Sequence, residues 1–235
     1  MDWQLHWNTI PKNCDETDFF KQVGKTVGGQ GVGEDQVALA VAQLKQHLAL
    51  DTNDTVLDLC CGNGLVTCEV AKLCKEIVGV DFSKPLIEVA QRHHARSNAS
   101  YFQASVLELV PEMFPHAGAF TKIYMHEALQ YFNEEDLIQL LTSLRPIAAE
   151  HFSVFFGGVP AKEHLWDFYN TDERRADYLR RCEEGSEAIG TWWEREAIES
   201  AAAVTGFDCM FIEQPAGLYS AHYRIDILLT QPLHR

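Results

Sequence analysis

The stretch Val56-Leu57-Asp58-Leu59-Cys60-Cys61-Gly62-Asn63-Gly64 decides the fold of this chain. Its first half is short and strongly apolar, which predicts a buried strand at residues 55–59. Its second half carries Gly62 and Gly64, which allow a tight turn and let the backbone approach a ligand closely. A helix follows, and a helix N-terminus presents free N–H groups. This order predicts a ligand site at the carboxyl end of a strand in an open α/β sheet.

A carboxylate ends the next strand. The segment Ile77-Val78-Gly79-Val80-Asp81-Phe82-Ser83 runs from an apolar strand at residues 76–80 into Asp81. A carboxylate at this point can accept hydrogen bonds from both hydroxyls of a ribose. The glycine turn and the acid together are more specific than either alone, and they favour a ligand that contains a nucleoside.

Strands and helices alternate outward from this motif. Strands are predicted at residues 55–59, 76–80, 101–102, 120–125, 152–156, 207–212 and 223–229. Helices are predicted at residues 34–50, 65–74, 84–96 and 134–144. Short apolar strands between helices predict an α/β fold with a doubly wound, mainly parallel, seven-stranded Rossmann-like sheet. No long helix separates the last two strands, so we expect them to pair antiparallel.

Two segments lie outside this pattern. Residues 1–34 form an N-terminal helical extension, with a weak helix candidate at residues 15–24 and a glycine-rich loop at residues 24–33. Residues 35–235 form the ligand-binding domain. That domain includes a helical insertion at about residues 160–195, after the fifth strand, and no strand is expected from 160 to 200.

The glycine turn could belong to any of three kinds of nucleotide-binding site. A phosphate-binding P-loop needs Gly-Lys-Ser/Thr, but Leu65 follows Gly64. A dinucleotide site needs a third glycine, and Thr67 stands in its place. The acid inside the first strand, Asp58, suits a cofactor with an ammonium group rather than a pyrophosphate. S-adenosylmethionine (SAM) has an α-amino group, a ribose and no phosphate.

Asp58 to Gly64 and Val78 to Ser83 resemble motifs I and II of the class I SAM-dependent methyltransferases. The resemblance covers roughly residues 35–157 and 205–230, and Cys60 replaces a glycine that is common in the family. It implies that SAM is the cofactor and S-adenosylhomocysteine (SAH) the product. The family often has a carboxylate after the third strand, where this chain has Ser105.

The resemblance also implies which residues hold the cofactor. The loop would contact the methionine end, Asp81 the ribose and Phe82 the adenine, while Ser105 or backbone would take the adenine edge. The residues assigned to cofactor binding are Asp58, Leu59, Cys60, Cys61, Gly62, Asn63, Gly64, Asp81, Phe82, Ser83, Ala104, Ser105, Val106 and Met125.

The candidates for methyl-transfer chemistry follow the fourth strand. In the family this stretch, residues 124–132, borders the methyl group and the acceptor. His126 has a reference pKa suited to taking a proton at neutral pH, and Glu127 and Tyr131 are further candidates. Alternatively, His126 only supports the loop, because many methyltransferases rely on positioning alone.

Charge and composition limit the classes of molecule that the chain is expected to bind. The net charge is −15, with 19 basic against 34 acidic residues, which disfavours nucleic acids and anionic membranes. The N-terminus resembles no signal peptide, so we expect a cytoplasmic protein. The seven cysteines include no Cys-x-x-Cys pair and are expected to be free thiols. The pair His93-His94 alone does not predict a metal site, and none is expected.

Three features remain open from the sequence. The aromatic residues of the insertion, Trp166, Phe168, Tyr169, Tyr178, Trp192 and Trp193, could line a substrate pocket or pack on the sheet. Its arginines, Arg174, Arg175, Arg180 and Arg181, could bind an anionic acceptor but are more typical of a solvated helix with local pairs. Residues 1–34 are expected to form a lid over the cofactor, hinged at the glycines.

The sequence therefore predicts a SAM-dependent methyltransferase that acts on an O or N atom of a small molecule. Residues 122–132 and 165–170 resemble a bacterial subgroup that modifies small molecules or glycan precursors. The alternatives are an NAD-type oxidoreductase and a SAM-binding module without catalytic activity.

Overall fold

A seven-stranded sheet forms the centre of the computed structural model, which describes residues 1–114 and 117–232. The strands are β1 (Thr55–Leu59), β2 (Glu76–Asp81), β3 (Ala99–Gln103), β4 (Phe120–His126), β5 (Ala148–Pro160), β6 (Asp208–Glu213) and β7 (Arg224–Thr230). Their order in the sheet is β3-β2-β1-β4-β5-β7-β6. Only β7 runs antiparallel to its neighbours, as predicted from the short connection before it. The predicted mainly parallel, doubly wound sheet is confirmed.

Nine α-helices lie within the described residues. They are α1 (Trp3–Asn13), α2 (Phe19–Gln22), α3 (Glu34–His47), α4 (Thr67–Val70), α5 (Lys84–His93), α6 (Glu134–Leu144), α7 (Leu165–Phe168), α8 (Asp172–Glu183) and α9 (Arg195–Val204). No helix in this part of the chain is long and apolar enough to cross a bilayer.

Both faces of the sheet are covered, because alternate residues of a strand point to opposite sides. In β1, Val56 packs with α3 residues such as Leu44. Leu57 and Leu59 pack instead in the larger cluster that includes Leu140 of α6. The three strand side chains Val56, Leu57 and Leu59 are fully buried, which explains why the strand is so strongly apolar.

The N-terminal segment is more ordered than the sequence predicts. Helix α1 was not predicted, and of the candidate helix at residues 15–24 only α2 forms. The Asp2 carboxylate caps α1 by accepting a hydrogen bond from the Leu5 N–H at 2.9 Å. The glycine-rich loop contains a hairpin that pairs Thr26–Val27 with Gln30–Gly31. Two glycines with positive φ form its turn, as two-residue hairpins require.

The insertion at residues 160–195 contains helices α7 and α8, as predicted, but residues 184–194 form no helix. Strand β5 extends to Pro160, and Ala161 forms a parallel bridge with Trp193. Helix α8 ends before Gly185, whose φ is +64°. The Glu187 carboxylate then accepts hydrogen bonds from the N–H groups of residues 189 and 190. These side-chain contacts take the place of the backbone hydrogen bonds of a helix.

Candidate active site

The glycine turn after β1 is shaped by three residues with positive φ. Gly62 and Gly64 have φ values of +56° and +80°, and Cys60 has +58°. A Cβ atom at position 64 would lie 2.9 Å from the hydroxyl oxygen of Tyr101, so only glycine fits there. Cys60 adopts this conformation although it has a side chain, at the position where the family commonly has glycine.

Asp58 lies at the bottom of the turn and is 2% exposed. One carboxylate oxygen accepts hydrogen bonds from the Thr67 hydroxyl at 2.6 Å and from the Tyr124 hydroxyl at 2.7 Å. Burial raises the pKa of Asp58 to about 7, although these two hydrogen bonds lower it in part. A nearby cation would favour the ionised form of this acid.

Asp81 ends the neighbouring strand β2 and points back to the turn. Its two oxygens accept hydrogen bonds from the N–H groups of Gly62 and Ser83, at 2.9 and 2.8 Å. Burial raises the pKa of Asp81 to about 6, and the two backbone donors oppose this rise. The carboxylate is thereby fixed in position, and it retains lone pairs for further donors.

A cavity of about 220 Å³ joins these groups to the residues after β4. Its cofactor side is lined by the following residues: Asp58, Cys60, Cys61, Gly62, Asn63, Asp81, Phe82, Ser105 and Val106. His126, Glu127 and Tyr131 line the opposite side. All three predicted catalytic residues therefore share one space with most of the predicted cofactor residues.

Five residues assigned to the cofactor are not among the described residues that line the cavity. They are Leu59, Gly64, Ser83, Ala104 and Met125. Leu59 and Met125 are fully buried in the core below the site. The Ser83 hydroxyl donates a hydrogen bond to the Trp7 carbonyl at 2.9 Å, so this side chain contacts the N-terminal extension. Their assignment to cofactor binding stays a prediction.

Lys25 and Glu127 form a buried ion pair beside His126. The side chains of Lys25 and Glu127 are each 11% exposed. The Lys25 ammonium also lies 3.2 Å from Nδ1 of His126. Because an ammonium group can only donate, Nδ1 must accept, and the ring proton of a neutral imidazole then lies on Nε2. The other oxygen of Glu127 accepts a hydrogen bond from the Tyr219 hydroxyl at 2.8 Å.

The backbone of Glu127 is unusual in a way that fixes this pair. Its φ is +55°, a conformation that is uncommon for residues other than glycine. A Cβ atom at Gly158 would lie 2.6 Å from Cγ of Glu127, so a glycine on β5 makes room for it. Conformations of this kind persist where the surrounding structure holds them, and they are common at functional sites.

Burial and charge set the protonation of the same cluster. Burial lowers the pKa of His126 to about 3, and the positive charges of Lys25 and Arg224 add to this effect. Burial alone would raise the pKa of Glu127, but the positive charges of Lys25 and Arg224 outweigh it and hold the pKa well below its usual range. His126 is therefore neutral and Glu127 ionised at neutral pH.

The N-terminal extension covers the cavity. Trp3 and Trp7 lie one helical turn apart on α1, and both line the cavity. Their rings contact the Tyr131 ring, with centroid distances of 4.6 and 5.6 Å. The Asn63 amide, from the glycine turn, donates to the Phe19 carbonyl and to the Gln22 side chain, both at 2.9 Å. The position that the sequence predicts for a lid is therefore occupied by residues 3–25.

The aromatic residues of the insertion contribute nothing to the cavity lining within the described chain. Most of them form a separate small core, whose fully buried members are Leu165, Tyr169, Trp192 and Tyr223. Trp193 belongs to the main core, and its indole N–H donates to the Leu129 carbonyl at 3.1 Å. The alternative of packing, rather than pocket lining, is the one that the structure shows.

The arginines of α8 form local contacts, which is the alternative that the sequence favours. Arg180 pairs with Asp177 and Glu184, at 2.5 and 2.7 Å, and Arg181 pairs with Asp177 at 2.7 Å. Arg174 lies over the Phe168 ring, 4.8 Å from its centroid. All are partners three or four residues apart, or neighbours in the insertion, so α8 is a solvated helix with local pairs.

The sequence analysis missed Lys25, Tyr219 and Arg224 as site residues. Arg224 is 6% exposed and donates to the Gly158 carbonyl, behind Glu127. Lys25 lies about 100 residues before Glu127, and Tyr219 and Arg224 lie about 90 to 100 residues after it, so no local motif links them to it. For the N-terminal part of the site, the sequence does contain one local signal. Trp3 and Trp7 are four residues apart, and this spacing could have indicated one face of a helix.

The fold and the site together define the class I methyltransferase architecture. Residues 56–150 match the family described as "Methyltransferase domain". Over these residues the chain matches a methyltransferase domain, in agreement with the class that the sequence predicts.

Relatives and solved structures agree with this class. A 23S rRNA (uracil(1939)-C(5))-methyltransferase of Aliivibrio fischeri is 36% identical over 91 residues, which cover 37% of this chain and 21% of that protein. The magnesium-protoporphyrin O-methyltransferase of Rhodobacter capsulatus is 27% identical over 121 residues, half of each chain. Over its alignment, the chain thus spans about a fifth to a half of the length of these relatives.

One solved structure matches nearly the whole chain. The magnesium protoporphyrin IX methyltransferase of Synechocystis PCC 6803, crystallised with SAH, superposes with a TM-score of 0.65. The alignment covers 98% of each chain at 15% sequence identity. Identity at this level shows a shared fold, including the segments before and after the sheet.

Proposed function

We propose that this protein is a SAM-dependent methyltransferase that transfers a methyl group to an O or N atom of a small molecule and releases SAH. One observation carries the proposal: Asp58, one residue before the end of β1, and Asp81, at the end of the adjacent strand β2, face the same cavity as the glycine turn. The similar structure from Synechocystis was crystallised with SAH, which supports SAM as the cofactor.

The proposed roles follow from the charge of SAM. The ammonium group lies by Asp58, whose remaining oxygen can accept it, and the ribose hydroxyls donate to Asp81. The adenine lies against Phe82, with Ser105 and Val106 at its edge. An acidic cavity of this kind suits SAM better than a dinucleotide with its two phosphates, which argues against an NAD-type oxidoreductase.

We assign the transfer step to positioning rather than to a general base. The sulfonium is already an activated donor, and the enzyme must hold the acceptor in line with the methyl group and exclude water. His126 accepts a hydrogen bond from Lys25, and both oxygens of Glu127 have partners. Burial raises the pKa of Tyr131 to about 12, so its hydroxyl stays protonated. These three residues shape the acceptor side of the cavity.

A small acceptor is favoured over RNA by the enclosure of the site. Trp3, Trp7 and Tyr131 pack together over the cavity, which leaves little room for a polymer. The net charge of −15 also opposes binding to phosphate backbones and to anionic membranes. The rRNA methyltransferase from Aliivibrio shares only 21% of its length with this chain. We propose a cytoplasmic location, because all seven cysteines are free thiols.

Calorimetry with SAM, SAH and NAD⁺ tests the proposal. We expect SAM and SAH to bind and NAD⁺ not to bind. Methyl transfer from labelled SAM to a panel of small acids, phenols and amines then distinguishes an enzyme from a binding module. Binding of NAD⁺ in place of SAM would replace the methyltransferase with the oxidoreductase alternative, and binding without transfer to any acceptor would favour the module.

A further inference from the structure

The cavity contains four carboxylates and one cation among the described residues that line it. The acids are Asp58, Asp81, Glu127 and Asp136, and the cation is Lys25. SAM carries two positive centres, which the acids can match, and one carboxylate on its methionine tail. A carboxylate inside a mostly buried site needs a cationic or N–H donor.

Lys25 lies where the methionine tail is proposed to end. Its neighbour Val23 packs against the glycine turn, because a Cβ atom at Gly62 would lie 2.9 Å from Cγ1 of Val23. The backbone of Lys25 is fixed by hydrogen bonds to Phe20 and Val32, at 2.9 and 3.1 Å. The side chain thus extends from an anchored point on the N-terminal extension into the space beside the turn.

The hydrogen bonds of the Lys25 ammonium group leave it capacity for a further acceptor. Its ammonium group donates to His126 and Glu127, which leaves one N–H free. Arg224 lies behind Glu127 and donates to the neutral oxygens of Gly158 and Gln130. Glu127 thus has two cationic neighbours, so Lys25 can donate to a further carboxylate without leaving Glu127 unpaired.

We propose that Lys25 binds the carboxylate of the methionine tail of SAM and so makes the N-terminal extension part of the cofactor site. This inference rests on the proposed function. It assigns to the extension a charge contact with the cofactor, in addition to covering it. The third N–H of Lys25 donates to the carboxylate, while the other two keep His126 and Glu127 in place.

The test compares two ligands that differ only in the carboxylate. SAH has it, and S-adenosyl-3-thiopropylamine lacks it but keeps the amine, the sulfur and the adenosine. We expect wild-type protein to bind SAH more tightly than the analogue. In Lys25→Met the affinity for SAH should fall about tenfold to a hundredfold, the range for a lost charge-assisted hydrogen bond, while the affinity for the analogue stays within about twofold.

Three further variants separate this role from a structural one. Lys21→Met removes an exposed lysine of the same extension, which pairs with Asp18, and should leave both affinities unchanged. Lys25→Arg should restore part of the preference for SAH. The double variant Lys25→Met with Glu127→Gln removes both charges of the ion pair, so it shows the loss of SAH affinity without a buried unpaired carboxylate.

The outcomes decide between the alternatives. A preference for SAH that disappears in Lys25→Met supports the inference. Equal losses for both ligands, or no loss for either, overturn it, since Lys25 would then only hold the extension closed or face the methyl acceptor. If wild-type protein binds neither ligand, the proposed function itself fails, and this inference fails with it.

Discussion

Asp81 is held by two backbone N–H groups, and this fixes the direction in which its free lone pairs point. If those lone pairs accept the ribose hydroxyls, Asp81→Asn should weaken SAH binding about tenfold to a hundredfold, because an amide forms weaker hydrogen bonds than a carboxylate. Calorimetry measures this loss. Asp167→Asn, at an exposed position of the insertion, is the control and should bind as wild type does. Unchanged affinity in Asp81→Asn would remove the ribose assignment.

Asp58 predicts how cofactor affinity depends on pH. Its pKa in the free protein is raised to about 7 by burial, and the ammonium group of the cofactor favours the ionised form. Binding is therefore strongest above pH 7 and weakens as the pH falls and Asp58 becomes protonated. The affinity for SAH should fall by up to tenfold between pH 7 and pH 6, with Asp81 adding to the loss near its own pKa of about 6.

Asp58→Asn is the control for this pH dependence. The variant should bind SAH weakly at every pH, and the part of the pH dependence that begins near pH 7 should disappear. A wild-type affinity that is constant from pH 6 to pH 8 would contradict the predicted ionisation.

His126 should remain a neutral imidazole with its proton on Nε2. Burial and the nearby charges lower its pKa to about 3, and Nδ1 accepts a hydrogen bond from Lys25. Nitrogen-15 NMR of histidine-labelled protein should show one resonance set of this tautomer that does not change between pH 5 and pH 8. The other histidines in the same labelled sample serve as internal controls. A titration midpoint near 6.5 would return His126 to the role of general base.

At the scale of elements, helix α1 covers the cavity with only one of its faces. Trp7 lines the cavity, whereas Leu5 on the same helix is 65% exposed. Trp7→Ala should therefore weaken SAH binding by about tenfold or more, because the cavity opens to water, while Leu5→Ala should have little effect. Deletion of residues 1–30 should weaken binding further and leave the circular dichroism of the sheet domain largely intact. Equal affinities in the full and truncated chains would show that the extension is no lid.

The elements that the sequence predicts well are those buried on both sides. Strands β1, β2 and β4 each have a centre of buried, mostly apolar residues, and their predicted bounds differ from the observed ones by at most one residue. Helix α1 was missed because its burial depends on a cavity that exists only in the folded protein. The end of the insertion was misassigned because its glycines and Glu187 form backbone contacts that periodicity does not reveal.

At the scale of the whole molecule, the active site likewise has one part that the sequence predicts and one part that it does not. The cofactor turn could be predicted because it is a contiguous motif on one strand. The side of the cavity near Glu127 could be predicted only in part, since Lys25 reaches Glu127 from the N-terminal extension, and Tyr219 and Arg224 reach it from a segment near the end of the chain. Their meeting point depends on the crossovers of the sheet and on how the N-terminal extension packs.

The amino group of Met1 donates a hydrogen bond to the Gly185 carbonyl at 3.2 Å, which connects the N-terminal extension to the insertion. If this contact persists when SAH is bound, SAH can leave only after the N-terminal extension moves. We therefore expect the release of SAH, rather than methyl transfer, to limit turnover. Rapid-mixing kinetics should show a fast first cycle followed by slower ones, and loosening the N-terminal extension should speed the later cycles.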